Sequence, residues 1–336
     1  PQAAIPARIA GVSTPYRWTA PSTAGERQKL DAWCESAGPP VIADPPAVSS
    51  ATPVRQESPA NELVVVTWNV HAGTGDVAEL VSRLRGGTFT KGRPVTRFVL
   101  LLQEAMRSGT AVPTVVAAGV KSPRAAGRGG PQSDIVTVAR ELGLFLFYVP
   151  SMRNGSPSDT DQDRGNAILS TDALTEFTAI ELPFERQRRV AVAATLSGDG
   201  GVGAGWRLRV VSAHLESTVP ASRLWVLAHG ARVRQAKALV DAIGAIPAVV
   251  LSGDFNTWFG FSDPAYRAID AAIPGAAERE RRPTYGPFFR LDHVFARVPD
   301  EWTVAASRLP DRLGSDHYPI LASLRHASST DRAHVN

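Results

Sequence analysis

Cysteine is nearly absent. Cys34 stands alone in 336 residues, which excludes an intrachain disulfide framework and any metal site built from several thiolates. No apolar run approaches the roughly 18 residues that a membrane-spanning helix needs. Lysine is scarce too, since only Lys29, Lys91, Lys121 and Lys237 among the 36 basic residues are lysines and the rest are arginines. Charged residues make up 20% of the chain and hydrophobic residues 43%. That balance excludes a disordered, collagen-like or coiled-coil protein, and no internal repeat is present. What remains is a chain long enough for one large α/β domain or two ordinary ones. Its net charge of +4 permits a phosphate-rich partner without requiring one. The arginine excess fits bidentate phosphate contacts, and equally a genome that spells its basic residues as arginine. The chain begins at Pro1, which is compatible with a mature form, secreted or periplasmic, that has lost a signal peptide, while a single cysteine fits any compartment.

Residues 1–60 differ in texture from the rest. Thr23-x-x-Glu26 forms a capping-box pattern that predicts a short helix running past Leu30 and Trp33. Gly38-Pro39-Pro40 stops it, and residues 38–60, rich in Pro, Ser and Ala, predict an extended strap. The predicted organisation is therefore an N-terminal helix and strap over 1–60, a catalytic domain over 61–326 and a tail over 327–336.

From Leu63 the rhythm changes. Leu63–Asn69, Phe98–Glu104, Leu208–His214 and Ala248–Asp254 are short continuous apolar runs, the mark of strands buried on both faces. Further strands are predicted at 165–170, 189–196, 291–298 and 319–325, and helices at 76–86, 133–142 and 222–245. The mixed order predicts two packed sheets flanked by helices.

Each apolar run ends in a polar residue, and strand ends are where chemistry gathers in α/β sheets. In chain order these residues are Asn69, Glu104, His214, Asp254 with Asn256, Asp292, and Asp316 with His317. Carboxylates and amide oxygens are hard ligands suited to Mg2+ or Mn2+, with Ca2+ as a further candidate. The histidines and remaining carboxylates suit proton transfer and water activation. No His-x-x-x-His pair and no thiolate cluster points to zinc.

Seven segments, TWN at 67–69, LQE at 102–104, GNAILS at 165–170, AHL at 213–215, SGDFN at 252–256, LDHV at 291–294 and SDHYP at 315–319, together resemble the endonuclease/exonuclease/phosphatase superfamily of the deoxyribonuclease I type. Their order is that of the family, and they span 63–325. Singly they are weak signals; GDFN is moderately specific and SDHYP more so. The resemblance implies a four-layer α/β/β/α sandwich, two mixed sheets between helical layers, with divalent-metal phosphoester hydrolysis at one edge. It implies that Glu104 binds the metal with Asp316 and Asn69 close by. Asp254 and Asn256 would orient the attacking water or the phosphate. His317, held by Asp292, would contact the scissile phosphate, and His214 would protonate the leaving oxygen or stabilise the pentacovalent state. Histidine at 214 resembles deoxyribonuclease I, sphingomyelinases and inositol-polyphosphate phosphatases rather than the abasic-site branch, which carries Tyr there.

Other residues leave alternatives open. His71 either points into the cleft or satisfies a loop carbonyl. Arg188 and Arg189 precede a strand where the family often has a basic residue that reaches substrate phosphate; a solvated charge run with Glu185 is the alternative. Asn166 is expected to line the cleft. Trp258 either stacks on substrate, enters a lipid interface or packs in the core, and Phe261 is expected in the core. Residues 107–132, with Arg107, Lys121, Arg124 and Arg128, form either a basic rim loop gripping a phosphate backbone or a surface insertion. Asp159, Asp161 and Asp163 are expected in a solvated acidic loop. His293 is expected to be structural and His229 at the surface.

The expected activity is in-line attack of activated water on a nucleic acid, DNA or RNA. A sphingomyelinase, phospholipase C-like or inositol-phosphate activity on a phospholipid or small phosphodiester is the alternative within enzymes. A catalytically inactive binding module is a third reading, against which the intact residue set stands. Nothing in the sequence calls for an obligate protein partner.

Overall fold

Strands covered on both faces organise this molecule. The computed structural model describes residues 4–9, 12–19, 23–46, 62–117, 120, 131–154, 161–198, 205–217, 227–274 and 280–326. Its first half runs β1 (Ala4–Ile9), β2 (Val12–Thr19), α1 (Ala24–Ser36), β3 (Val41–Ala43), β4 (Glu62–Asn69), α2 (Val77–Arg85), β5 (Phe98–Ser108), α3 (Ile135–Leu142), β6 (Phe145–Arg153) and β7 (Gln162–Ser170). The second half runs β8 (Thr175–Glu181), β9 (Val190–Gly198), β10 (Trp206–His214), α4 (Leu227–Ile243), β11 (Val249–Asp254), α5 (Pro264–Asp270), β12 (Asp292–Arg297), β13 (Trp302–Arg308) and β14 (Ile320–His326).

Two mixed sheets result, ordered β1-β2-β8-β9-β10-β11-β12 and β13-β14-β4-β5-β7-β6-β3. Val65, Leu101 and Ile168 of the second sheet meet Val192, Val210 and Val250 of the first in the central core. The alternate residues Val64, Val66 and Leu100 point outward and are buried under Leu80, Leu84 and Val138 of α2 and α3. Leu239 of α4 and Ile269 of α5 cover Val211 and Leu251 in the same way. Both pleat faces of each central strand are therefore apolar, which is why they appear in the sequence as continuous runs. Each such Val or Leu contributes roughly 1.5–3 kcal/mol by leaving water. The four-layer α/β/β/α arrangement is the one expected.

The helix predicted after Thr23 is present. The Thr23 hydroxyl accepts the Glu26 N–H at 3.3 Å and donates to its carboxylate at 3.0 Å. The stretch expected as a strap contains β3, which pairs with β6, while β2 pairs with β8. The N-terminal segment thus adds an edge strand to each sheet. Residues 47–61 of the strap, and the tail at 327–336, lie outside the described residues. Strands β1, β2, β6, β8 and β13 and helix α5 were not expected.

Two expectations are corrected. Asp163 is not in a solvated loop: it lies in β7 and is wholly buried. Arg107 is not a rim cation, because β5 continues past Glu104 and its guanidinium makes a two-pronged ion pair with Asp163. Tyr148 donates its hydroxyl to the same carboxylate at 2.8 Å, and the Gly38 N–H donates at 2.8 Å. Lys121, Arg124, Arg128 and Asp159 lie outside the described residues.

Asp163 therefore joins β5, β6, β7 and the N-terminal segment, and its loss leaves a buried arginine without a counter-charge. Asp163→Ala is expected to lower stability by about 3–5 kcal/mol, read from urea unfolding. A loss below about 1 kcal/mol, the scale of an exposed ion pair, would show that this junction carries no load.

Candidate active site

Backbone register places half of the site. β10 and β11 pair in parallel with His214 opposite Asp254. β11 and β12 pair antiparallel with Asp254 opposite Asp292. Three neighbouring strands thus present His214, Asp254 and Asp292 in one row. The close approach of β10 and β11 requires Gly253, where a Cβ would collide with the Ala213 carbonyl oxygen.

The second sheet supplies the facing half. Asn69 ends β4 opposite Gln103 of β5. Glu104 follows at a bulge, with φ of 55° and a register shift between Leu102 and Ala105. The bulge turns its side chain off the pleat, leaving it 21% exposed at the sheet end. His71 and Asn256 also have positive φ, at 48° and 50°. Such backbones cost on the order of 1–3 kcal/mol each and persist where surrounding structure fixes them.

The segment before β14 is pinned to β4. Ser315 Oγ donates to the Asn69 carbonyl at 2.6 Å and accepts the His317 N–H at 3.1 Å. The Trp68 indole donates to the His317 carbonyl at 3.1 Å, and the Tyr285 ring packs on the His317 imidazole at 4.8 Å.

Asp254 is the centre of the assembled group. Its Oδ2 accepts from Asn69 Nδ2 at 3.0 Å, and its Oδ1 from the Asn256 N–H at 2.9 Å. His214 Nε2 lies 3.5 Å from Oδ2 and His317 Nε2 lies 3.7 Å from it. On the far side of its ring, His317 Nδ1 meets Asp292 Oδ2 at 2.8 Å. All six residues are buried.

The two imidazoles are tuned in opposite directions. Burial alone would lower His317, but the carboxylates of Asp292 and Asp254 outweigh it and push the group up to about 10. Burial pushes His214 well below its ordinary value, and the nearby Arg189 charge adds to the effect. Burial lifts Asp254 to about 7, against the opposing pull of His317. Burial also acts to raise Glu104, but Arg164 and Arg189 prevail and hold it below the usual carboxylate range. Near neutrality the site therefore holds an imidazolium, a neutral imidazole, a poised carboxyl group and an ionised glutamate.

The Endonuclease/Exonuclease/phosphatase family model matches residues 66–317, from the end of β4 to His317 itself. The chain belongs to the endonuclease/exonuclease/phosphatase family. Family members are generally metal-dependent phosphoester hydrolases. Among solved structures, the chain is similar to an endonuclease/exonuclease/phosphatase from Beutenbergia cavernae DSM 12333, with a TM-score of 0.54 and 21% identity over 80% of this chain and 72% of that one. It is also similar to a family protein from Leptotrichia buccalis C-1013-b, with a TM-score of 0.50 and 15% identity over 78% of this chain and 99% of that one. At these identities the likeness is one of fold. No curated protein matches by sequence.

The family's divalent ion fits the oxygen donors at the cleft. Glu104 is ionised and partly exposed, and its nearest cation, Arg164, is 3.4 Å away. Asp316 is likewise held in its ionised form: burial is outweighed by His71, whose Nδ1 sits 3.2 Å from it. The Asp316 bond in turn raises His71, with the Glu104 charge adding to it, so His71 lies in the field of both carboxylates. The Asn69 amide is occupied, its nitrogen on Asp254 and its oxygen on the His71 N–H at 3.0 Å. Asp254, Asp292 and His317 also offer ligand atoms within 4.8 Å of one another.

Other expected residues are placed as follows. Asn166 is buried, and its amide donates to the Val190 carbonyl at 2.7 Å, tying the two sheets together. Arg188 and Arg189 are both buried rather than a solvated run, and Glu185 pairs with Arg234 instead. Trp258 packs edge-on against Phe289 at 4.9 Å and Tyr285 at 6.0 Å, one ring removed from His317. Phe261 packs against the outer core of the first sheet. His293 points away from the cleft toward Thr257 and Tyr266. His229 is half-buried rather than at the surface, between Asp263 and Phe259. Arg164 and Tyr285 were not anticipated. Arg164 had a signal, since it stands two residues before Asn166 on one strand and so shares its face.

The paired histidines give a direct test. In the metal-free protein, NMR titration should find His317 protonated beyond pH 9, and His214 neutral throughout the range in which the protein stays folded. Asp292→Asn removes the nearest negative charge and should bring His317 down by about one unit or more. An unshifted titration would mean that Asp292 does not govern this imidazole.

Proposed function

We propose that the protein is a Mg2+- or Mn2+-dependent phosphodiesterase acting on nucleic acid. The observation that carries this reading is the pair of oppositely tuned histidines around Asp254, beside an ionised Glu104. Glu104 and Asp316 would hold the ion, which when bound neutralises phosphate charge and polarises the phosphoryl group. Asp254, poised near neutrality, accepts a proton from the attacking water. Asn69 and the Asn256 N–H fix its two oxygens and hence the direction of attack. His317 brings a proton and a positive charge to the phosphate, with Asp292 fixing its ring. His214, neutral, stabilises the pentacovalent state or the leaving oxygen through Nε2, which has no hydrogen-bond partner among the described residues.

Positive side chains at the cleft, Arg164 and Arg189, favour a polyanionic substrate over a neutral one. A phospholipid is the second reading, favoured by Phe288 and Phe259, which are 81% and 43% exposed and would suit a lipid interface.

Plasmid DNA, RNA, bis-p-nitrophenyl phosphate and sphingomyelin, assayed in parallel, decide between them. EDTA should abolish activity, and Mg2+ or Mn2+ should restore it. His317→Ala and His214→Ala should each lower kcat by about 10²–10⁴ with little change in substrate affinity, and the double variant should lose less than the product. Full activity after exhaustive chelation, or wild-type kcat in His317→Ala, would refute the mechanism.

A further inference from the structure

We propose that the outer face of the first sheet carries a second binding site, remote from the cleft, for an amphipathic anion of the fatty-carboxylate class. The site goes beyond the phosphodiesterase reading and takes no part in it.

Successive side chains on a strand alternate between its faces. In β10, Leu208 and Val210 turn into the core between the sheets, so Arg207, Arg209 and Val211 face outward. His214 shares the inward face and lies five residues beyond Arg209, roughly 17 Å along the strand. Arg209 therefore stands on the other face and near the other end. Helix α4 covers Val211 with Leu239 and Ile243 and ends there. Past its end lies a cavity of about 1130 Å3, walled by Ile243, Ile246 and Pro247 and floored by Arg17, Thr178 and Arg209. Its size is that of small-molecule sites, which run to on the order of 1,000 Å3.

The lining changes character along the strands. Val211 sits opposite Ala193, but two residues back Arg209 sits opposite Thr195. Arg17 of β2 in turn sits opposite Thr178 of β8. One end of the cavity is thus aliphatic and the other basic, which fits a ligand with an apolar body and one charged head.

The charge at the basic end lacks a counter-charge. The Glu176 carboxylate is taken by Arg207 at 2.5 Å and by the Thr195 hydroxyl at 2.8 Å. Arg209 instead donates to the Glu176 carbonyl at 2.5 Å and to the hydroxyls of Thr178 and Thr195 at 2.6 and 3.2 Å. Among the described residues, neither Arg209 nor the exposed Arg17 forms an ion pair. Arginines with a structural task look different: Arg188 grips Glu181 through two bonds, and Arg107 grips Asp163 in the same manner. Burial pushes Arg209 down to about 10 against the pull of Glu176, and the Arg17 charge adds to the fall. An anionic head between the two arginines removes that conflict, and a guanidinium fork matches a carboxylate bidentately. Glu176 beside the head favours a single negative charge over a doubly charged phosphate ester. A cationic head would meet two like charges.

Calorimetric titration of the full chain with decanoate, acetate, decanol and decyltrimethylammonium, each below its micelle-forming concentration, tests the site. Decanoate should bind about 100-fold tighter than acetate, through its apolar body. Decanol and decyltrimethylammonium should each trail decanoate by about tenfold or more, through the head. Arg209→Gln should weaken decanoate by about tenfold. Arg17→Gln, at an exposed position, should weaken it by about threefold. Ile246→Asp should weaken decanoate and leave acetate unchanged. His317→Ala should bind decanoate as the wild type does. Should Arg209→Gln fail to fold, Arg17→Gln and Ile246→Asp decide. Decanoate binding no tighter than acetate, or no tighter than the ammonium amphiphile, overturns the proposal. So does unchanged affinity in the arginine variants, and so does a loss in His317→Ala, which would put the ligand in the cleft.

Discussion

The hydrogen bond between His317 and Asp292 closes the site, because its two ends belong to different sheets. Asp292 opens β12 in the first sheet, while His317 lies just before β14 in the second. The bond lies at the end of an interface that is otherwise largely apolar. Behind it, polar crossings fix the relative position of the sheets, the Asn166–Val190 bond among them. Gln103 donates from β5 to Ser212 of β10 at 3.0 Å, and Ser212 donates back to the Leu102 carbonyl at 3.1 Å. Buried and bonded to each other, these groups resist sliding of one sheet over the other. The row His214, Asp254 and Asp292 then follows from ladder register alone. A slip of one residue in β11 would turn Asp254 to the opposite face and empty the centre.

Much of this was legible because catalysis and folding use the same segments. A strand buried on both faces must be apolar throughout, so the polar residue that ends it stands out in the sequence. Asn69, His214 and Asp254 were found this way, while Glu104 ends an apolar run inside a strand that continues to Ser108 and Asp292 opens its strand. Edge and half-exposed strands give no such contrast. Trp302–Arg308 and Thr175–Glu181 mix buried and exposed positions, and their apolar residues do not form a run. Asp163 was misplaced for another reason. Two neighbouring aspartates made it look solvated, while its partner Arg107 lies 56 residues away in sequence. Arg164 escaped notice because its one signal, a strand face shared with Asn166 two residues on, is not marked by any motif. Its meaning comes only from the Arg189 charge approaching from the other sheet.

Unsatisfied and strained groups occur at the site as well as elsewhere in the fold, at Arg232 and Lys91 for example. In the scaffold, Asp163 has four donors and Glu181 receives both Arg188 and Trp18. Around Asp254 the opposite holds. His214 Nε2, Asp292 Oδ1 and Arg189 Nε are buried without hydrogen-bond partners among the described residues, and His71, Glu104 and Asn256 hold positive φ. Such a concentration lowers stability locally, and it persists only because the surrounding sheets over-determine the backbone. Groups left unpaired in the resting protein are those able to gain a partner when a phosphate arrives.

Net charge explains little of this arrangement; local pairing explains most of it. His317 and His214 are buried equally deeply and lie at similar distances from one carboxylate oxygen, yet they take opposite protonation states. The difference is what stands behind each ring. Asp292 backs His317, whereas positive charge from Arg189 and Arg164 reaches His214. The arginines therefore act twice. They keep Glu104 ionised at the edge of the cleft and add to the burial that keeps His214 neutral within it, so His317 alone of the two carries the proton. The same positive charge that would meet a substrate phosphate also contributes to the acid–base order of the centre, through two side chains of which one, Arg164, meets Glu104 at 3.4 Å.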